Sequence, residues 1–198
     1  MRTSTSNECQ LHCSIDIIDL NCYANEYSTV LLDFLSCKVL RTLQFKGFIG
    51  PLSPSAEISP NLTHLLLHKS CLKQDSMPIL EKLPSLGTLV LNDDAYMGKE
   101  MVCSASGFPQ LKCLRLLNLS ELQRIQVENT AMPILSDIEI NNCQKLDINS
   151  IPTLPRTTYH RVVLTLFHPR RFLLMKYIAT PAFSTMITQF FLKTNPPP

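Results

Sequence analysis

Histidines and cysteines are the residues in this chain whose types and spacing come nearest to a chemical site. Cys9, His12 and Cys13 stand close enough to share a metal ion, but tetrahedral zinc needs a fourth ligand and no matching second pair follows. His64 and His68 recur at strand spacing and are expected to face the same way, yet no third ligand or acid accompanies them, so they are read as surface polar residues. Asp93 and Asp94 could be paired carboxylates, but adjacent aspartates directly after an apolar run are residues of a turn. Nucleophile signatures of the G-x-S-x-G kind and H-E-x-x-H zinc signatures are both absent from the sequence. Gly98-Lys99-Glu100 has neither the upstream glycine nor the hydroxyl residue of a phosphate-binding loop. The expectation is therefore a protein that is not an enzyme and takes no cofactor and no metal.

Composition leads the same way. The chain has 198 residues, of which 45% are hydrophobic and 17% charged, with a formal net charge of +2. That balance suits one ordinary domain or a short solenoid and gives no reason to expect a nucleic-acid partner. Its charge is uneven: residues 1–147 hold 12 Lys and Arg against all 16 Asp and Glu, whereas residues 148–198 hold six basic residues and no acid. The eight cysteines would form a disulfide framework only in an oxidising compartment. Asp16 and Asp19 interrupt the one apolar stretch near the N-terminus, so no signal peptide is read there and the cysteines are expected to be reduced, small and buried. The sequons at Asn61 and Asn118 are then expected to stay unmodified. The apolar region from Val162 to Leu192 is broken by Pro169-Arg170-Arg171, Lys176 and Pro181, so no integral membrane segment is expected.

What could position a recognition surface is a repeat. Pro60, Pro84, Pro109 and Pro133 are spaced 24, 25 and 24 residues apart, and each stands two places before an L-x-x-L-x-L pattern. The patterns are Leu62, Leu65 and Leu67; Leu86, Leu89 and Leu91; Leu111, Leu114 and Leu116; and Leu135, Ile138 and Ile140. The last two apolar positions of each are two apart, so on an extended strand they share one face and the residues around them share the other. Stacked strands would then turn the leucines into a continuous core that no single repeat could bury alone. Leu40, Leu43 and Phe45 form an earlier copy lacking the proline, and Ile15, Ile18 and Leu20 a weaker one 25 residues before it. The fold class expected is an α/β repeat, a short leucine-rich-repeat solenoid with a parallel sheet on the concave face and short helices and loops on the convex face. Asp75 to Leu83 reads as a short helix. Gly98 to Gly107 and Ser120 to Asn129 read as helical turns or irregular loops. The ninth position of the pattern, where Asn or Cys is usual, holds Phe48, Ser70, Asp94, Leu119 and Cys143, so an irregular array is expected.

The phrases SPNLTHLLLHKSCLKQDSMPILEKLPSLGTLVL, GKEMVCSASGFPQLKCLRL and AMPILSDIEINNCQKL are more specific than leucine spacing. They resemble the repeats near the C-terminus of plant disease-resistance proteins of the coiled-coil, nucleotide-binding, leucine-rich-repeat class, over roughly residues 38–155. The resemblance implies a cytoplasmic array that senses a pathogen effector or a guarded host protein and restrains a nucleotide-binding module. With no such module in the sequence, the chain is expected to be a fragment, a truncated paralogue or a partial gene model. Residues 1–37 are read as a degenerate N-terminal repeat or cap, 38–155 as the array, and 156–198 as a basic tail, either a divergent cap or sequence foreign to the domain. An extracellular leucine-rich-repeat receptor fragment and a generic scaffold are the alternatives. The partner-binding residues expected are the outward ones on the strands: His64, Leu66, His68, Val90, Asn92, Arg115, Leu117, Asp137, Glu139 and Asn141. Leu66, Val90 and Leu117 are expected to form an exposed apolar run flanked by His and Arg, as contact patches do.

Overall fold

The computed structural model describes residues 38–50, 52, 59–147 and 150, together with the strand backbones at 18–19, 161–168 and 171–173. The candidate metal cluster at Cys9, His12 and Cys13 lies outside the described residues.

Each L-x-x-L-x-L pattern forms a five-residue strand: β2 (Thr42–Lys46), β3 (His64–His68), β4 (Thr88–Asn92), β6 (Cys113–Leu117) and β8 (Asp137–Asn141). They pair in parallel with no register slip, so Leu65, Leu89, Leu114 and Ile138 are successive partners, as are Leu67, Leu91, Leu116 and Ile140. All of these side chains are buried, and so is the column Leu40, Leu62, Leu86, Leu111 and Leu135 from the first pattern position. The columns explain why a repeat this short folds only in company. Fully burying one leucine contributes about 1.5–3 kcal/mol, and here each inward leucine is covered by the strands on either side.

The strand entrances repeat a single backbone device. Thr63 and His64 both donate their N–H groups to the Arg41 carbonyl, Gly87 and Thr88 to that of Thr63, Lys112 and Cys113 to that of Gly87, and Ser136 and Asp137 to that of Lys112. At the other end of each strand the chain turns through a left-handed residue: Lys69, Asp93, Asn118 and Asn142 all have φ between 48° and 55°. Asparagine and aspartate tolerate that conformation better than other side chains, which accounts for three of the four.

The short helix expected after β3 is present as a 3-10 turn, Gln74–Ser76, running into α1 (Met77–Leu80), with Pro78 in its first turn. The expectation for 98–107 and 120–129 is corrected. Those stretches contain β5 (Glu100–Cys103) and β7 (Arg124–Val127), which pair in parallel as a second, two-stranded sheet. Met101, Cys103 and Ile125 are buried from this side, closing the core opposite the main sheet. An isolated parallel bridge, Leu72–Tyr96, joins the two preceding repeats closer to the main strands.

Beyond the central strands, β1 (Ile18–Asp19) pairs in parallel with β2, and β9 (Arg161–His168) with β8, giving an eight-stranded sheet that ends with the antiparallel β10 (Arg171–Leu173). Ile18 partners Phe45, whereas the sequence spacing aligns it with Leu43, a shift of two residues. Such a shift preserves the alternation of faces, so the apolar pattern alone does not distinguish the two registers. Strand β9 continues the repeat spacing into the basic stretch, with Ile138 and Ile140 partnered by Val162 and Leu164.

Candidate partner-binding face

The outward residues of the strands form three rows across the sheet. His64, Thr88, Cys113 and Asp137 make the first; Leu66, Val90, Arg115 and Glu139 the second; His68, Asn92, Leu117 and Asn141 the third. Thr42, Gln44 and Lys46 extend them by one strand. Every expected contact residue therefore lies on this one face, because parallel pairing without slip converts alternation along a strand into rows across it. Their exposure differs from the expectation in one respect. Leu66, Val90 and Leu117 are half-buried and do not form an exposed run; among the described residues the well-exposed large apolar ones are Val39, Phe48 and Met97, all outside the strands. Close neighbouring strands cover the flanks of the outward aliphatic side chains and leave their tips.

Charge is distributed unevenly over the face. Arg115 and Glu139 are row partners and form an ion pair, Nε to Oε2 3.4 Å. The Ser136 hydroxyl lies 2.7 Å from Asp137 Oδ2. No carboxylate occurs among the nine outward residues of β2, β3 and β4. Burial pushes the Cys113 thiol up from its ordinary range, with Arg115 acting against the shift. It is thereby kept as a neutral, weakly nucleophilic neighbour of the central row.

His64 is oriented by its neighbour. The Thr63 hydroxyl donates to the Arg41 carbonyl at 2.9 Å and lies 2.9 Å from His64 Nδ1. His68 is the terminus of a side-chain ladder that the sequence reading missed. Gln144 Nε2 donates to Asn142 Oδ1 at 3.4 Å, Asn142 Nδ2 to Asn118 Oδ1 at 2.9 Å, and Asn118 Nδ2 to Asn92 Oδ1 at 3.1 Å and to Asp93 Oδ1 at 2.9 Å. Asn92 Nδ2 then lies 3.3 Å from His68 Nδ1, and His68 Nε2 lies 3.5 Å from Asp93 Oδ2. An asparagine or aspartate recurring at 93, 118 and 142 was the available signal. Both aspartates singled out in the sequence occupy turns: Asp93 and Asp94 have positive φ, and Asp94 Oδ1 accepts the Ser120 N–H at 2.8 Å.

The ninth-position residues serve different ends. Ser70, Leu119 and Cys143 are fully buried, and Cys143 Sγ donates weakly to the Leu116 and Asn141 carbonyls, while Phe48 is exposed. Cys103 and Cys143 are buried free thiols and Cys71 and Cys113 half-buried ones. Among the described residues no cluster of three or more His, Cys, Asp or Glu could hold a metal ion, and no helix is long and apolar enough to cross a membrane.

Along the strand entrances runs an open groove of about 600 Å³ whose polar lining is Thr63, His64, Ser85, Thr88, Gln110 and Lys112. Sequence reasoning did not find it, since its walls come from the loops ahead of three different strands.

Comparison with known proteins places the repeat. The chain is 41% identical over 117 residues to the probable disease resistance protein RF9 of Arabidopsis thaliana, covering 59% of this chain and 11% of that protein. It is 36% identical over 125 residues to the disease resistance RPP8-like protein 3 and 37% identical over 128 residues to the disease susceptibility protein LOV1, both from Arabidopsis thaliana. Those matches cover 63% of this chain and 13% and 14% of the two relatives, so the chain spans a small part of their length. No protein-family model matches, and no solved structure matches. With the phrases read in the sequence now carried by a parallel leucine-rich-repeat solenoid, the array is homologous to a segment of plant disease-resistance proteins.

Proposed function

We propose that this chain is a protein-recognition module of the plant defence response, acting in the cytoplasm and binding through the outward face of β2, β3, β4, β6 and β8. The observation that carries the reading is the set of three unbroken rows across those strands. A rigid parallel sheet holds chemically varied side chains at fixed spacings of about 4.8 Å, so a partner surface can be read without reordering the backbone. The similarity to disease-resistance and disease-susceptibility proteins supports a role in defence. The recognised protein would be a pathogen effector, a guarded host protein, or the nucleotide-binding module of a related receptor, whose switching the array would regulate. No step in this function requires catalysis.

The test is association in trans. The tagged chain is mixed with the nucleotide-binding module of a disease-resistance relative, and with candidate effectors of the corresponding pathogens, and complexes are measured by size exclusion and calorimetry. Saturable binding that is lost when Leu66 and Val90 are both replaced by aspartate supports the reading. Binding unaffected by that double change in a folded protein sinks it.

A further inference from the structure

We propose that the β2–β4 half of this face, with the groove beside it, binds a partner segment in which carboxylates flank an apolar side chain. The inference rests on the reading of this face as the recognition surface and adds the chemistry of what it recognises. Two observations carry it.

The first is the asymmetry of charge. In the half formed by β2, β3 and β4 the outward residues of the two strands β3 and β4 include His64 and His68 around Leu66 and Val90, and no acid. Ahead of the strands, Lys38, Arg41 and Lys112 are exposed. Among the described residues no carboxylate lies within ion-pair distance of Arg41 or Lys112. Among the described residues the acids beside this half are at the far ends of the strands: Asp19 on β1 is the register partner of Lys46, Asp93 takes the Asn118 amide and faces His68, and Asp94 takes the Ser120 N–H. On the β6–β8 half the one base, Arg115, is paired with Glu139. Among the described residues the strand-entrance side of β2–β4, with Lys38, Arg41 and Lys112, is therefore the part of the face with uncompensated positive charge.

The second is the groove. It opens along the same side, and His64, Thr88 and Lys112 all form part of its lining. Its remaining polar lining is uncharged hydroxyl and amide, groups that can donate to a carboxylate without repelling it. Because the Thr63 hydroxyl lies 2.9 Å from His64 Nδ1, the Nε2 edge of the ring is the one left to a partner, and it can donate to a carboxylate as the proton-bearing nitrogen. A segment lying across the strands would set an apolar side chain on the tips of Leu66 and Val90 and a carboxylate between His64 and Lys112. Such complementarity sets specificity and association rate more than it adds affinity, so the preference should be readable against a neutral analogue.

The experiment uses the full chain and labelled peptide libraries in which Asp or Glu alternates with Leu or Phe between Gly-Ser spacers. Matched libraries carry Asn/Gln or Lys in place of the acids, and binding is followed by fluorescence anisotropy at low and high salt. The acidic library is expected to bind about tenfold more tightly than the neutral one, with the difference shrinking as salt is raised. The H64Q/K112Q double variant should lose that preference, and K82Q, at an exposed lysine in the turn after α1, should keep it. The proposal is overturned if the acidic library does not bind, if the neutral or Lys libraries bind as well, or if the preference survives in H64Q/K112Q with a wild-type circular dichroism spectrum. Its failure is separable from failure of the face itself. If L66D/V90D abolishes capture of a protein partner while H64Q/K112Q leaves it intact, the face stands and the acidic segment falls; if neither variant matters, the face falls too.

Discussion

Glu81, a buried carboxylate, reaches across to the following repeat and accepts the backbone N–H of Ser104 at 2.8 Å. Its own carbonyl takes the Phe108 N–H at 2.7 Å, so one residue pins the start and the middle of the loop between β5 and β6. The same loop is held at Ala105 by Glu128 Oε2 and at Ser106 by the Thr130 hydroxyl. Gly107 fits because a Cβ there would lie 2.8 Å from the Ser104 carbonyl and 2.9 Å from Glu81 Oε2. Replacing Glu81 by alanine leaves the Ser104 N–H without its acceptor and should cost about 1–3 kcal/mol. Glu81→Gln keeps a carbonyl oxygen in reach and should cost less. Urea unfolding of the two variants checks this, and equal losses would count against the hydrogen bond as the cause.

The ladder at the strand exits should be separable from the backbone strain at the same place. Asn118 combines a φ of 53° with amide bonds to Asn92 and Asp93. Asn118→Ala loses both the bonds and the tolerance of that conformation, whereas Asn118→Gly loses the bonds alone. Alanine should therefore be the more damaging by about 1 kcal/mol. A glycine variant no more stable than the alanine one, measured by thermal melting, would show that the left-handed turn carries no strain.

Thiol reactivity reports on the core. Burial pushes Cys103 up to about 12 and Cys143 up to about 11 from an ordinary value of 9.0, with Glu81 adding to the first shift. The folded state thus favours the neutral thiol. This contribution is fully present below the unfolded pKa and is lost as pH rises from 9 through about 11 to 12. Stability should fall over that alkaline window, and less steeply in Cys103→Ala once its cavity cost is subtracted. At pH 8, alkylation followed by mass mapping should label Cys71 and Cys113 before Cys103 and Cys143. Early labelling of Cys103 would contradict its burial.

On the outward face, Leu66→Asp with Val90→Asp should leave the fold nearly intact, because both side chains keep their tips free while the core columns lie beneath. A loss within about 1 kcal/mol is expected from the outward change. By contrast, Leu89→Ala, at a fully buried position, should cost about 2–5 kcal/mol. Comparable losses in the two experiments would mean that the outward row is part of the core.

The strands were legible because each is a long-range consequence of a local pattern: Leu65 and Leu67 are two apart, and the same two positions recur in every repeat. The second sheet was not. Strands β5 and β7 have four residues each, and Met101 with Cys103, or Ile125 with Val127, gives only one cycle of alternation, too little to separate a strand from a loop. The groove and the ladder were hidden for another reason. Their members come from different repeats, 24 to 26 residues apart, and meet only once the register is known. The half-burial of Leu66 and Val90 likewise depends on how closely neighbouring strands approach, which alternation does not encode.

The pairing without slip across β2, β3, β4, β6 and β8 also bears on how such a chain can change over generations. Because Thr42, His64, Thr88, Cys113 and Asp137 are successive partners, one whole turn can be duplicated or excised by recombination and every remaining residue keeps its row. Point changes then vary what a row displays, and exchange of turns varies how long it is. The lineage can thus revise its recognition surface by two independent routes without renegotiating its core.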